Sequence, residues 1–277
     1  MPICIFVPVL IRTGNAALSR DLISAIFLTA ILAVPTVLWL SQWSRRVYTF
    51  PRYVLASFNL FWARCWWRTS IPAELPIPIG QGAVLIANHR SSVDPFFIQV
   101  AAHRVVHWMV AKEFVEHPAL AWFLRQTGAI GTSRGGRDTK AIRAAIDLLK
   151  AGELVGVLPE GRINMTDRLM LPFRPGAAMI AQHAEVPIIP IYIEGAPYDR
   201  TPASPFLMPA RVIVKIGEPI DTSVGTPQEI MEQATREIAR LAGQADFEPQ
   251  FAGRDWKPTS ADLEEALAAA RQRKRNR

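Results

Sequence analysis

Cysteine, histidine and charge are all scarce in this chain of 277 residues, and each shortage excludes something. Cys4 and Cys65 stand in apolar or aromatic surroundings with no metal-ligand spacing, so a disulfide framework is excluded and a reducing compartment is expected. Of the five histidines, His103 and His107 are four apart, but no third ligand lies nearby. A solvated helix face is expected there, and no metal. Only 20% of residues are charged against 50% hydrophobic, a rich apolar share for a purely soluble protein. Internal repeats are absent. Acidic residues are outnumbered, 24 against 31 basic, for a net charge of +7. An acidic partner is therefore open: nucleic acid, anionic lipid or a phosphorylated substrate, beside the plainer reading of a solvated surface with a charged tail. The tail lacks interleaved aromatics and nothing resembles a nucleic-acid motif, so no nucleic acid is expected.

One stretch lacks charge outright. Leu22 to Trp43 is bounded by Asp21 and by Arg45-Arg46. As a helix it would be roughly 33 Å long against a hydrocarbon core of about 30 Å, and Pro35 inside it is tolerated better in lipid than in water. The run starts late and has no small-residue exit, which argues against a cleaved signal peptide. A second stretch, Tyr53 to Trp67, is too short to cross and is interrupted by Arg64. Trp62, Trp66 and Trp67 near Arg64 and Arg68 read as an interfacial belt. One span plus an interfacial helix, or a hairpin dipping into one leaflet, both fit; two buried core helices are the plainer alternative. Arg45, Arg46 and Arg52 outnumber Arg12 and Arg20. The expectation is membrane association with the main domain on the cytoplasmic side.

After Ser70 the proline-rich link Ile71 to Gly80 marks a boundary. Three regions follow: 1–70 membrane-associated helices, 71–250 an α/β domain, and 251–277 a basic helical tail. Ala83–Ala87, Leu154–Leu158, Ile188–Ile193 and Val212–Ile216 read as buried strands. Between the first two, Ala141, Ile142, Ala145, Ile146 and Leu149 repeat at helical spacing, with Asp138 or Thr139 as cap and Gly152 just beyond the end. Thr226-Pro227-Gln228-Glu229 opens another helix with a capping-box signature, and Gly243 can close it. Strands alternating with helices predict an α/β layer fold, a mixed sheet flanked by helices. In the tail, acidic Asp262, Glu264 and Glu265 precede the basic run from Arg271 to Arg277, an order that suits the helix dipole and also anionic lipid headgroups.

Directly after the first strand comes Asn88-His89-Arg90-Ser91-Ser92-Val93-Asp94-Pro95. With Ser91 or Ser92 capping a helix through Asp94 and Phe97, a tight turn brings the Asp94 carboxylate against the His89 ring. One ring nitrogen then donates to Asp94 and the other serves as a base toward an alcohol. Gly128 to Arg134 sets a basic residue behind a glycine-rich turn, a cradle for phosphate. Leu158-Pro159-Glu160-Gly161-Arg162 ends another strand with an acid and a base at its tip. Val186-Pro187 and Pro190 mark a strand concerned with packing.

In that order and spacing, the four motifs from about Ala83 to Gly217 resemble the glycerolipid acyltransferase family. The resemblance implies that His89 is the general base and Asp94 its orienter, with Arg134, Glu160, Gly161 and Arg162 in the acceptor site. Lys112 and Arg174 are further candidates for anionic groups. It implies no cofactor, with acyl-CoA or acyl-carrier protein as co-substrate, a lysophospholipid as acceptor, lysophosphatidic acid first, and a lipid membrane as partner. Many phosphatidic-acid-forming members read Thr-Arg-Ser after the Pro-Glu-Gly motif, whereas this chain has Arg162-Ile163-Asn164. That departure is closer to enzymes that reacylate other lysophospholipids. Two other classes compete. Gly131-Thr132-Ser133-Arg134-Gly135 matches the nucleophile elbow of a hydrolase, with His183 as the only histidine downstream. A non-catalytic lipid-binding scaffold is the third.

Overall fold

The computed structural model describes residues 49–71, 74–133, 138–198 and 203–253, with Thr29, Ala33, Val37, Trp256, Glu264 and Ala268 as isolated positions. The uncharged run 22–43 lies outside the described residues apart from three of those positions, as does most of 251–277. Among the described residues no helix is long and apolar enough to cross a membrane. The chain divides into two compact units, Met1–Tyr53 and Val54–Arg277. The elements described below lie in the second, except that the first helix begins at Phe50.

Its centre is a six-stranded sheet in the order β3-β2-β4-β1-β5-β6. These are β1 (Ala83–Ala87), β2 (Val106–Ala111), β3 (Ile130–Thr132), β4 (Leu154–Val157), β5 (Ile188–Glu194) and β6 (Ile213–Ile216). The first five are parallel, and β6 runs antiparallel to β5. All five residues of β1 are buried. A strand covered on both faces needs such a continuous apolar run, which is why Ala83–Ala87 shows no alternation. The four strands read from the sequence are present to within a residue of their expected ends, and the mixed, helix-flanked sheet is the architecture observed.

Helices cover both faces. On one lie α5 (Thr139–Lys150), α6 (Gly176–Ala184) and α8 (Pro227–Leu241). Ala141, Ala145 and Leu149 of α5 and Ile230, Ala234 and Ile238 of α8 enter the core shared with Val84, Ile86 and Ile188. Asp138 caps α5 through Ala141, and Thr226 with Glu229 forms the capping box of α8. On the other face lie α1 (Phe50–Cys65) and α2 (Asp94–Ala102), where Ala63, Trp67, Phe97 and Ile98 pack on Leu85, Ile189 and Ile191. Around them run the short α3 (Lys112–Val115), α4 (Pro118–Gln126) and α7 (Ser204–Leu207). Gly156 of β4 makes room on this face, because a Cβ there would stand 2.5 Å from the Trp108 ring.

One segment is placed and one expectation is corrected. The segment read as interfacial is bonded into the α/β unit: Asn59 Nδ2 donates to the Phe96 carbonyl, and the Trp62 and Trp67 indoles donate to the Phe206 and Pro205 carbonyls. Its other side leaves Val54, Phe58 and Phe61 exposed. A helix with one stripe in a core and the opposite stripe apolar gives an ambiguous sequence pattern. The corrected expectation is the helix face of His103 and His107, which the two do not share. His103 ends α2 in the left-handed conformation, and His107 is buried in β2 with Nδ1 2.9 Å from the Gly128 carbonyl.

Candidate active site

From β1 the sheet order runs one way through β4, β2 and β3 and the other way through β5 and β6. In open α/β sheets, ligands collect outside the carboxyl ends of strands at such a reversal. The carboxyl end of β1 is Asn88, which is buried and pairs its side-chain amide with the Ile193 backbone in both directions, at 3.0 and 2.8 Å. A side chain thus takes over from the β1–β5 ladder, freeing the backbone at His89 to turn away.

The turn from His89 to α2 closes around one oxygen atom. Asp94 Oδ2 accepts from the Arg90 amide at 2.7 Å, the Ser91 amide at 2.8 Å and His89 Nδ1 at 3.0 Å. Asp94 is fully buried, and the His89 side chain keeps 15% of its exposure. With Nδ1–H donating to a carboxylate, the basic lone pair of the ring is on Nε2. Neither serine caps α2 by a side chain, as the sequence had suggested. Val93 occupies that position without a side-chain bond, and Ser91 Oγ accepts from the Val93 amide within the turn. Asp94 is the acidic residue in the first turn of α2, where the helix dipole favours its charge.

Glu160, after β4, is placed inward. It is 5% exposed, with Oε1 accepting from the His89 amide at 2.6 Å and Oε2 from the Leu171 amide at 2.8 Å. Burial pushes its pKa up to about 8, against the two amide donors and the charge of Arg90, which pull it down. Its oxygens therefore join two loops to the turn. Gly161 follows at φ +67 with open space where a side chain would be, and its amide closes a turn onto the Leu158 carbonyl. Arg162 lies over the Trp256 ring at 5.3 Å. Arg174 has an exposed side chain, and its amide donates to the Pro159 carbonyl. Lys112 is exposed and pairs with Glu116 at 3.4 Å. Arg134 lies outside the described residues.

The structure therefore gathers His89, Asp94 and Glu160 into one hydrogen-bonded group. It adds residues that the sequence reading did not single out as site residues. Arg90 Nη1 donates to the Thr166 and Arg168 carbonyls, and the Asn164 amide donates to the His89 carbonyl at 2.7 Å. An Asn-x-Thr string was the available signal, since such residues fold short turns onto their own backbone.

The competing serine is occupied otherwise. Ser133 Oγ donates to Asp138 Oδ2 at 3.1 Å, while His183 is exposed on α6 with Nδ1 2.7 Å from the Met179 carbonyl. Among the described residues no cluster of three or more His, Cys, Asp or Glu is arranged to hold a metal ion.

A base oriented by a carboxylate at the open end of a parallel sheet is suited to hydroxyl activation, and the comparisons agree in kind. Residues 69–194 match the family described as Acyltransferase. That match is to an acyltransferase domain and spans less than half of the chain. It is similar to the 1-acyl-sn-glycerol-3-phosphate acyltransferase of Bacillus subtilis, 30% identical over 43% of this chain and 59% of that protein. To the enzyme of that name from Saccharomyces cerevisiae it is 30% identical over 55% of this chain and 52% of that one. The alpha form from Mus musculus is 31% identical over 59% and 58%. The chain thus spans between half and three-fifths of the length of these relatives. In fold it is similar to the crystal structure of the 1-acyl-sn-glycerophosphate acyltransferase from Thermotoga maritima. That comparison has a TM-score of 0.56 and 24% identity, covering 79% of this chain and 92% of that one.

Proposed function

We propose that the chain moves a fatty acyl group from acyl-CoA or acyl-carrier protein to the free hydroxyl of lysophosphatidic acid. The observation that carries this is the 3.0 Å contact of His89 Nδ1 with the buried Asp94 carboxylate at the end of β1. His89 Nε2 removes the proton of the acceptor hydroxyl as its oxygen attacks the thioester carbonyl. The tetrahedral intermediate then expels the thiolate, which takes the proton back from the imidazolium. No acyl-enzyme is needed. General-base help of this kind is worth about 10²–10⁴-fold, so positioning supplies the rest. Arg134, Arg162, Lys112 and Arg174 are the cations offered to the acceptor phosphate.

A second reading rests on Arg162 directly after Gly161. It keeps the chemistry and changes the acceptor to another lysophospholipid. The enzyme is further proposed to work at a membrane surface on the cytoplasmic side, supported by exposed Val54, Phe58 and Phe61 on α1 and by the uncharged run 22–43.

The deciding experiment is acyl transfer by the purified protein and by His89→Ala, with acyl-CoA and acyl-carrier protein against a panel of lysophospholipids. Acylation of lysophosphatidic acid, with a loss of about 10²-fold or more in the variant, is expected. Preference for another lysolipid moves the assignment to the second reading. Wild-type activity in the variant sinks His89 as base.

A further inference from the structure

His89 is gripped from two sides, and only one grip comes from the motif that carries the resemblance. Glu160 takes its N–H, and the Asn164 amide takes its carbonyl at 2.7 Å. Asn164 is fully buried and Thr166 nearly so. Asn164 Oδ1 accepts from the Thr166 amide at 3.0 Å and from the Thr166 hydroxyl at 2.7 Å, and Asn164 Nδ2 donates to the Arg168 carbonyl at 2.8 Å. The Arg168 amide in turn donates to Thr166 Oγ1 at 3.2 Å. Arg90, the residue after His89, donates to the Thr166 carbonyl at 2.6 Å and to the Arg168 carbonyl at 3.2 Å. The bonds close a ring: His89 to Asn164, Asn164 to Thr166, Thr166 to Arg90, and Arg90 through the chain back to His89.

We propose that the turn Asn164 to Arg168, closed by the Thr166 hydroxyl and clamped by Arg90, is a positioning element that fixes the His89 imidazole for acyl transfer. This rests on the acyltransferase reading above. The Thr166 hydroxyl both accepts, from the Arg168 amide, and donates, to Asn164 Oδ1. Its loss takes from the Arg168 amide the hydroxyl acceptor at 3.2 Å and slackens the hold of Asn164 on His89. Displacement of a reacting group by about 1 Å is enough to cost on the order of 10²-fold in rate. Asn164 and Thr166 are both buried, so the effect is expected in turnover.

The test compares the full-length wild type with Thr166→Val, which keeps shape and loses the hydroxyl, and Thr166→Ser, which keeps the hydroxyl. Two readouts are taken: kcat and KM with palmitoyl-CoA and the preferred lysophospholipid, and the pH titration of the His89 imidazole by NMR on histidine-labelled protein. His89→Ala identifies the resonance. Thr166→Val is expected to lower kcat by about 10- to 100-fold with KM within about twofold, and to shift the His89 titration. Thr166→Ser is expected to restore most of kcat and the wild-type titration. The proposal is overturned if Thr166→Val keeps wild-type kcat and an unmoved His89 signal. It is also overturned if both variants lose activity only in step with Tm. Should the wild type acylate nothing on the panel, the acyltransferase reading fails separately, and the His89 titration alone decides the positioning claim.

Discussion

The turns that follow β1 and β4 each set a buried carboxylate at the same end of the sheet, yet the two carboxylates have different partners. Asp94 concentrates its donors on one oxygen, two backbone amides and the His89 ring, and its Oδ1 has no hydrogen-bond partner among the described residues. Glu160 divides its donors, one amide to each oxygen, from segments far apart in sequence. Only Asp94 therefore touches an imidazole, a side chain that can serve as a base. The comparison teaches that an acid at a strand end is to be read by what donates to it. An imidazole makes it an orienter of a base, and backbone amides alone make it a tie between loops.

Breaking the Asp94 side of this comparison has the largest expected effect on turnover. Asp94→Asn keeps the shape but offers the His89 ring a neutral group, which neither fixes the tautomer by charge nor stabilises the imidazolium. A fall in kcat on the order of 10²–10⁴-fold is expected, with a much smaller change in the KM for the lysolipid. Steady-state kinetics beside His89→Ala checks it. A variant with kcat within a few-fold of wild type would mean that the carboxylate does not orient the base.

Breaking the Glu160 side is expected to cost stability first. In Glu160→Gln the side-chain NH2 faces an amide N–H, so one accepted bond is lost in a buried place, a cost of about 1–3 kcal/mol. The pH dependence sharpens the point. The folded-state pKa is about 8 against an ordinary value of 4.5, so between them the folded chain holds a proton that the unfolded chain has released. Stability is therefore greatest below the unfolded value, falls as pH rises toward 8 and levels off above it. Glutamine removes that slope. The difference in Tm between wild type and variant is expected to be largest near pH 5 and to shrink toward pH 8; a constant difference across this range would show that Glu160 is already ionised in the fold.

How much of this was legible in the sequence depended on the range of the interaction. Strands β1, β4, β5 and β6 and the capped helices α5 and α8 were readable because periodicity and caps are local, and Asp138 and Thr226 cap as their spacing said. The contact of His89 with Asp94 spans five residues of one turn and was also within reach. What escaped was set by long loops closing in space. Glu160 could be singled out from its motif, but nothing local reveals that Leu171 and His89 present amides to it. The core stripe of α1 is fixed by Phe96, Pro205 and Phe206, the last two about 140 positions away. The His103–His107 pair misled because a spacing of four implies a shared face only when a helix continues, and α2 ends at Ala102.

The smallest expected effect tests the competing nucleophile. Ser133 sits in a string that fits a hydrolase elbow, but its amide and hydroxyl both donate to Asp138 Oδ2, while Oδ1 of that same carboxylate caps α5 through the Ala141 amide. These bonds, led by the one from Ala141, hold the Asp138 pKa below its ordinary value. The stability they give is present above the unfolded pKa and is lost as pH falls through the lowered one. Ser133→Ala removes one donor of several on an exposed cap, so acyl transfer is expected to stay within about twofold of wild type. Tm is expected to change slightly at neutral pH, and the difference should fade in acid as Asp138 protonates. A loss of activity comparable with that of Asp94→Asn would reverse the assignment, because a serine that only caps a helix has no share in the chemistry.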